Sequence, residues 1–205
     1  MNNSWNQIIY KLWSPFYDLF FNKGIFLKGR NVVFSDITFN PGEKVLFVGC
    51  GTGADLEFVP LHTVHATAID FSQDMLNKAK DKFRHTDITF LQMDAQNLTF
   101  SDETFDLVIA SLLLSVVPDP HKCMDEIIRV ARPNGRILIF DKFAPEHQEL
   151  SLFKKIMRPL ISMLGTDIGL RFGTLVKPFH KRIAIQTDEP IMLKGMYRKI
   201  IGLKL

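Results

Sequence analysis

The chain has 205 residues, 46% of them hydrophobic and 23% charged, with a formal net charge of +3. That length suits one domain with a sizeable core, and so small a net charge excludes a polyanion binder that works through its whole surface. Two isolated cysteines, Cys50 and Cys123, give neither a disulfide framework nor metal-ligand spacing, and they point to a reducing compartment.

The N-terminal stretch MNNSWNQIIYKLW lacks the charged start and continuous apolar run of a signal peptide. The longest apolar runs, such as LVIASLLLSVV at 107–117, fall short of the roughly 20 residues that span a bilayer. A cytoplasmic location is the expectation. Residues 4–28 are dense in aromatics, among them Trp5, Tyr10, Trp13, Phe16, Tyr17 and Phe26. Trp5, Ile8, Ile9, Leu12 and Trp13 fall on one helical stripe, and Ser14-Pro15 can cap and start a second short helix.

From Val45 to Phe143, short apolar runs alternate with amphipathic stretches. KVLFVG (44–49) reads as a strand and runs into a glycine turn, Gly49-Cys50-Gly51-Thr52-Gly53, with a helix expected after it. TVHATAID (63–70) is a second strand and SQDMLNKAKDKF (72–83) a helix. DITFLQMD (87–94) and FDLVIAS (105–111) are the third and fourth strands. In PHKCMDEIIRVA (120–131), Cys123, Met124, Ile127, Ile128 and Ala131 share one face at helical spacing. Pro133-Asn134-Gly135 predicts a turn into a fifth strand, GRILIFDKF (135–143). The segment 151–182 is basic, with Lys154, Lys155, Arg158, Arg171, Lys177, Lys181 and Arg182 against the single acid Asp167. The tail from Arg182 reads as two strands around a turn near Asp188-Glu189-Pro190. Strand–helix alternation of this kind predicts an α/β fold with a doubly wound parallel sheet.

The glycine turn is not a Walker loop, because no lysine follows Gly53. Gly49-x-Gly51-x-x-Ala54 fits a dinucleotide fingerprint, and Asp70 ends the next strand about 20 residues on, where a ribose-binding acid belongs. Taken alone, the turn leaves open a dinucleotide site and simple tight helix–sheet packing.

Further features lie downstream. The third strand also ends in an acid, Asp94, followed by Ala95-Gln96-Asn97-Leu98; LLLSVVPDP follows the fourth strand, and RVARPNGRILIF leads into the fifth. With these residues, over about 40–143, the chain resembles the class I S-adenosylmethionine-dependent methyltransferases. The resemblance implies a Rossmann-like, mostly parallel seven-stranded sheet that ends in an antiparallel strand pair. It implies one methyltransferase domain, 1–205: an N-terminal helical lid (1–30), a cofactor-binding core (40–143), a basic helical insertion (144–182) and the terminal strand pair (183–205).

It also implies S-adenosylmethionine as cofactor, which carries no phosphate. The turn Gly49, Cys50, Gly51 and Gly53 would let backbone approach the methionine tail and sugar without side-chain clash. Asp70 would accept both ribose hydroxyls, Phe71 and Met75 would wall the adenine, and Asp94 with the Ala95 N–H would read its edge. Family members carry an acid two residues before the first glycine, and this chain has Phe47. The cofactor's ammonium then relies on backbone carbonyls near Gly49 and near Ala110 or Ser111. This departure implies weaker binding or an altered loop, and it motivates a non-catalytic, cofactor-binding alternative.

Methyl transfer from a sulfonium is an in-line displacement in which the protein mainly aligns the acceptor and excludes water. An amine acceptor needs no obligatory base, whereas an oxygen acceptor must lose a proton. The candidate bases are Tyr17, Asp141 and His147; the six histidines match no metal pattern. The stretch SLLLSVVPDPHKCMDEIIRVARPNGRILIFDKF is similar to bacterial phospholipid N-methyltransferases, although Asp141-Lys142-Phe143 stands where that branch has Asn-His-Phe. Tyr17-Asp18 and the final strand pair resemble the quinone-ring C-methyltransferases. Both branches imply a lipidic acceptor. The aromatic N-terminal helix and the basic segment are expected to support peripheral contact with an anionic membrane. A soluble amine or thiol acceptor stays open, and no nucleic-acid recognition motif accompanies the basic residues.

Overall fold

The computed structural model describes residues 23–146 and 169–205. The aromatic stripe before residue 23, Tyr17, His147, Lys154, Lys155, Arg158 and Asp167 lie outside the described residues. In chain order the elements are α1 (Gly24–Phe34), β1 (Lys44–Val48), a 3-10 turn (Asp55–Phe58), β2 (His65–Asp70), α2 (Gln73–Lys82), β3 (Thr89–Gln92) and β4 (Phe105–Ser111). There follow α3 (Pro120–Val130), β5 (Ala131–Lys142), α4 (Phe172–Val176), a second 3-10 turn (Lys177–Phe179), β6 (Ile183–Met192) and β7 (Tyr197–Lys204).

The seven strands form one sheet in the order β3-β2-β1-β4-β5-β7-β6. β1 to β5 pair in parallel, and β7 runs antiparallel between β5 and β6. The near-continuous apolar runs of β1 and β4 follow from this: central parallel strands are covered on both faces. On one face Leu46, Val48, Val108 and Ile139 pack with Cys123, Met124 and Ile127 of α3. On the other, Val45, Phe47, Ile109 and Phe140 pack with Val33 and Phe34 of α1 and Leu76 of α2.

The helix signals lie where the sequence puts them. The Ser72 hydroxyl accepts from the Met75 N–H at the start of α2, with Asp74 in the first turn and Lys80 and Lys82 in the last. Asp119 accepts from the His121 and Lys122 N–H groups at the start of α3, with Pro120 in its first turn.

Three expectations are corrected. The helix expected after the glycine turn is a single 3-10 turn, because Val59 is extended (φ −114°, ψ 136°) ahead of Pro60, whose ring disfavours helix at the preceding residue. The Pro133–Gly135 turn is absorbed into β5 as an irregularity: Phe105 pairs with Ala131 and Leu107 with Arg136, while Asn134 adopts φ 59°. The tail reverses at Leu193-Lys194-Gly195 (φ 51°, 57° and 83°) rather than near Asp188-Glu189-Pro190, which lies inside β6. β6 is an edge strand, where the missing Pro190 N–H is tolerated. α1 continues past residue 30 and buries Gly29, Arg30, Val33 and Phe34.

Candidate functional site

The sheet order reverses between β2 and β4, on either side of β1. Open α/β sheets bind ligands at such a switch point, beyond the carboxyl ends of the strands. A cleft opens there. Gly49, Gly51 and Gly53 take φ of 71°, 55° and 83°, a region costly for residues with a side chain. The turn is pinned by the Cys50 N–H donating to Ile69 O (2.8 Å) and the Gly53 N–H to Cys50 O (2.9 Å). A Cβ on Gly49 would stand 2.6 Å from Leu113 Cδ1 and push that side chain aside, and the positive φ itself favours glycine here.

Eight of the ten candidate cofactor residues line the cleft: Gly49, Gly51, Asp70, Phe71, Met75, Asp94, Ala95 and Ser111. Cys50 and Gly53 do not line it. Cys50 is buried in the core, where burial pushes its thiol well up, with Asp70 and Asp55 adding to the effect. Gly53 serves packing, since a Cβ there would meet Phe83 Cε2 at 2.7 Å. Both residues hold the shape of the turn from behind its ligand face.

Asp70 accepts from the Gly51 N–H on one oxygen and the Ser72 N–H on the other, each at 2.8 Å. Burial raises its pKa, opposed by the backbone N–H groups of Ser72, Gly51 and Phe71. A carboxylate offers about four acceptor positions, so capacity remains for hydroxyl donors. Asp94 accepts from the backbone N–H (2.9 Å) and side-chain amide (3.0 Å) of Gln96. The Gln96 amide oxygen in turn accepts from the Asp119 N–H at 2.9 Å, tying the end of β3 to the start of α3.

Asp141, the candidate base of strand five, sits at the carboxyl end of β5 as expected, but it does not face the cleft. It is 0% exposed, does not line the cleft, and accepts from Ser115 and from the Lys142 N–H. Tyr17 lies outside the described residues. The cleft also uses Met93, Gln96, Leu112, Leu113, Val116, Val117 and Pro118, none of which the motifs assign. Their position just after strands three and four was a signal, but which of them face the cleft depends on the loop's path.

The cleft fits S-adenosylmethionine on its own observations. Ser111 Oγ is buried and has no hydrogen-bond partner within the described residues, and Ser111 lines the cleft, so a polar ligand atom there would satisfy it. The glycine turn gives backbone access, Asp70 offers acceptors, and Phe71 and Met75 supply apolar walls.

A seven-stranded sheet of this order, with a glycine turn after its first strand and acids at or just past the ends of its second and third, matches the fold and motif pattern of the class I S-adenosylmethionine-dependent methyltransferases. Comparison with known proteins agrees. The methyltransferase domain family matches residues 46–139 of this chain. The phosphatidylethanolamine N-methyltransferase of Cereibacter sphaeroides is 40% identical over 128 residues, covering 60% of this chain and 63% of that one. The demethylmenaquinone methyltransferase of Clavibacter sepedonicus is 36% identical over 132 residues, covering 62% and 54%. The chain thus spans between half and two thirds of the length of these relatives. Among solved structures, the 4+2 cyclase SpnF superposes with a TM-score of 0.80 at 17% identity, covering 100% of this chain and 97% of that one. At that identity the likeness is one of fold.

Proposed function

We propose that the protein transfers the methyl group of S-adenosylmethionine to a lipidic acceptor, the head-group amine of a phosphatidylethanolamine-type phospholipid. The observation that carries this reading is the 40% identity to a phosphatidylethanolamine N-methyltransferase over 128 residues of a chain whose cleft fits the cofactor. When bound, the cofactor supplies an activated methyl group on a cationic sulfonium. Asp70 would hold the ribose hydroxyls, Phe71 and Met75 would wall the adenine, and Asp94 with the Ala95 N–H would read its edge. Ser111 would offer its hydroxyl to the tail. Leu113, Val116, Val117 and Pro118 form an apolar wall that would exclude water from the reacting end.

The titratable side chains lining the cleft among the described residues are Asp70 and Asp94, both committed to backbone or amide donors. An amine acceptor that arrives neutral needs no base, which supports nitrogen as the methylated atom. Among the described residues no helix is long and apolar enough to cross a membrane, so a lipid acceptor would be met at a membrane surface. The exposed Lys177 and Lys181 would favour an anionic one.

The second reading is a quinone-ring acceptor, favoured by the 36% identity to a demethylmenaquinone methyltransferase. The test supplies radiolabelled S-adenosylmethionine to the purified protein with phosphatidylethanolamine vesicles, with demethylmenaquinone, and with a whole-cell extract. Label in the phospholipid supports the first reading and label in the quinone the second. Label confined to the aqueous phase overturns both in favour of a soluble acceptor.

A further inference from the structure

The loop 112–118, between β4 and α3, builds one wall of the cleft. Leu112, Leu113, Val116, Val117 and Pro118 all line it. Six of its seven residues are apolar and cannot tether it by side-chain hydrogen bonds; the exception is Ser115. Leu112 sits at φ 54°, a conformation uncommon for a bulky residue, and its N–H donates to Phe140 O at 2.7 Å. The Val116 and Val117 N–H groups both donate to Leu113 O (2.9 and 3.1 Å). The wall is therefore a tightly wound turn whose middle needs an anchor.

Asp141, near the end of β5, supplies that anchor. Its Oδ1 accepts from the Ser115 hydroxyl at 2.7 Å and its Oδ2 from the Ser115 N–H at 3.1 Å. Oδ1 also accepts from the Lys142 N–H at 2.7 Å, which orients the carboxylate on its own strand. Asp141 is 0% and Ser115 3% exposed. Burying a carboxylate is costly unless its acceptors are filled, and here both oxygens are. Burial pushes the Asp141 carboxyl above its ordinary range, against the bonds from Ser115 and Lys142. The nearby Tyr197 phenol is pushed up to about 12 by its own burial, with the charge of Asp141 adding to it.

We propose that Asp141 is a positioning residue, not a base: it clamps Ser115 and thereby sets the wall of the cleft against which the cofactor binds. The inference rests on the reading that this cleft receives S-adenosylmethionine. It gives a strand-five acid that never touches the cofactor control over the cofactor's affinity.

The variants Asp141→Asn and Ser115→Ala test it, with S-adenosylhomocysteine binding by calorimetry and amide exchange over 112–118 as readouts. In Asp141→Asn the amide oxygen can keep the two donors of Oδ1, but its NH2 then confronts the Ser115 N–H. Affinity should fall by about tenfold or more and exchange over 112–118 should quicken. Ser115→Ala keeps the backbone bond and should lose about two- to fivefold. A purely structural role would lower the melting temperature and leave affinity well below it unchanged. If both variants bind like the parent with unaltered exchange, the proposal is wrong. If Asp141→Asn does not fold, Ser115→Ala decides alone: unchanged affinity and exchange overturn the clamp. If the parent itself fails to bind, the cofactor reading falls instead, and quickened exchange in the variants still reports the clamp.

Discussion

Asp70 shows how much one side chain can organise. Its two oxygens receive the Gly51 and Ser72 N–H groups, so one carboxylate joins the glycine turn to the start of α2 and still faces the cleft. Asp70→Asn would set an NH2 group against one of those donors, and S-adenosylhomocysteine affinity should drop at least about tenfold by calorimetry. The pH dependence follows from the raised pKa. The ionised form is the acceptor for hydroxyls, so binding is complete well above that pKa and is lost as pH falls through it. The loss should begin at a higher pH than for an ordinary carboxylate, and the Asn variant should show none of it. Asp70 and Asp94 were legible in the sequence because each ends an apolar run at a strand terminus. Asp141 met the same criterion, yet its carboxylate is enclosed. β5 is flanked by β4 and β7, and a local pattern does not say which neighbours close over its end.

Between elements, the ion pair of Arg30 and Asp55 joins α1 to the 3-10 turn that follows the glycines. Arg30 Nε donates to Asp55 Oδ1 at 2.7 Å, with both residues buried. Arg30→Met would leave the Asp55 charge buried, and stability should fall by about 3 kcal/mol in chemical denaturation. Cofactor affinity should weaken with it, since Asp55 lies two residues from Gly53. The pair spans two elements that the sequence did not pair. α1 itself carries no capping side chain and a plain apolar spacing, so tertiary burial defines it more than local signals do. The opposite holds for α2 and α3, whose caps Ser72 and Asp119 and whose buried faces were readable in place.

Across the whole molecule, Lys199 of β7 pairs with Asp36 just beyond α1, linking positions 163 residues apart. The two ends of the pair differ: the Lys199 side chain is 1% exposed and that of Asp36 62%. Removing the buried charge and removing its exposed partner therefore act oppositely. Lys199→Met should leave the melting temperature unchanged or raise it, because an apolar side chain of similar length replaces a desolvated ammonium. Asp36→Ala should lower it, by an amount equivalent to about 1 kcal/mol, since the buried lysine loses its counter-charge and solvent screens only part of the loss. A scanning calorimetry comparison of the two variants checks both signs at once.

The sequence by itself determined the strand runs, the glycine turn, the acids that end strands two and three, and the helices with strong caps. All of these are set by residues within a few positions of one another. Tertiary structure alone decided the path of the loop 112–118, the enclosure of Asp141 and the reversal at Leu193-Lys194-Gly195. These depend on strand pairing and on contacts between distant segments. A period of two or 3.6 residues reports which side of an element is apolar; it does not report what lies on the other side of the contact.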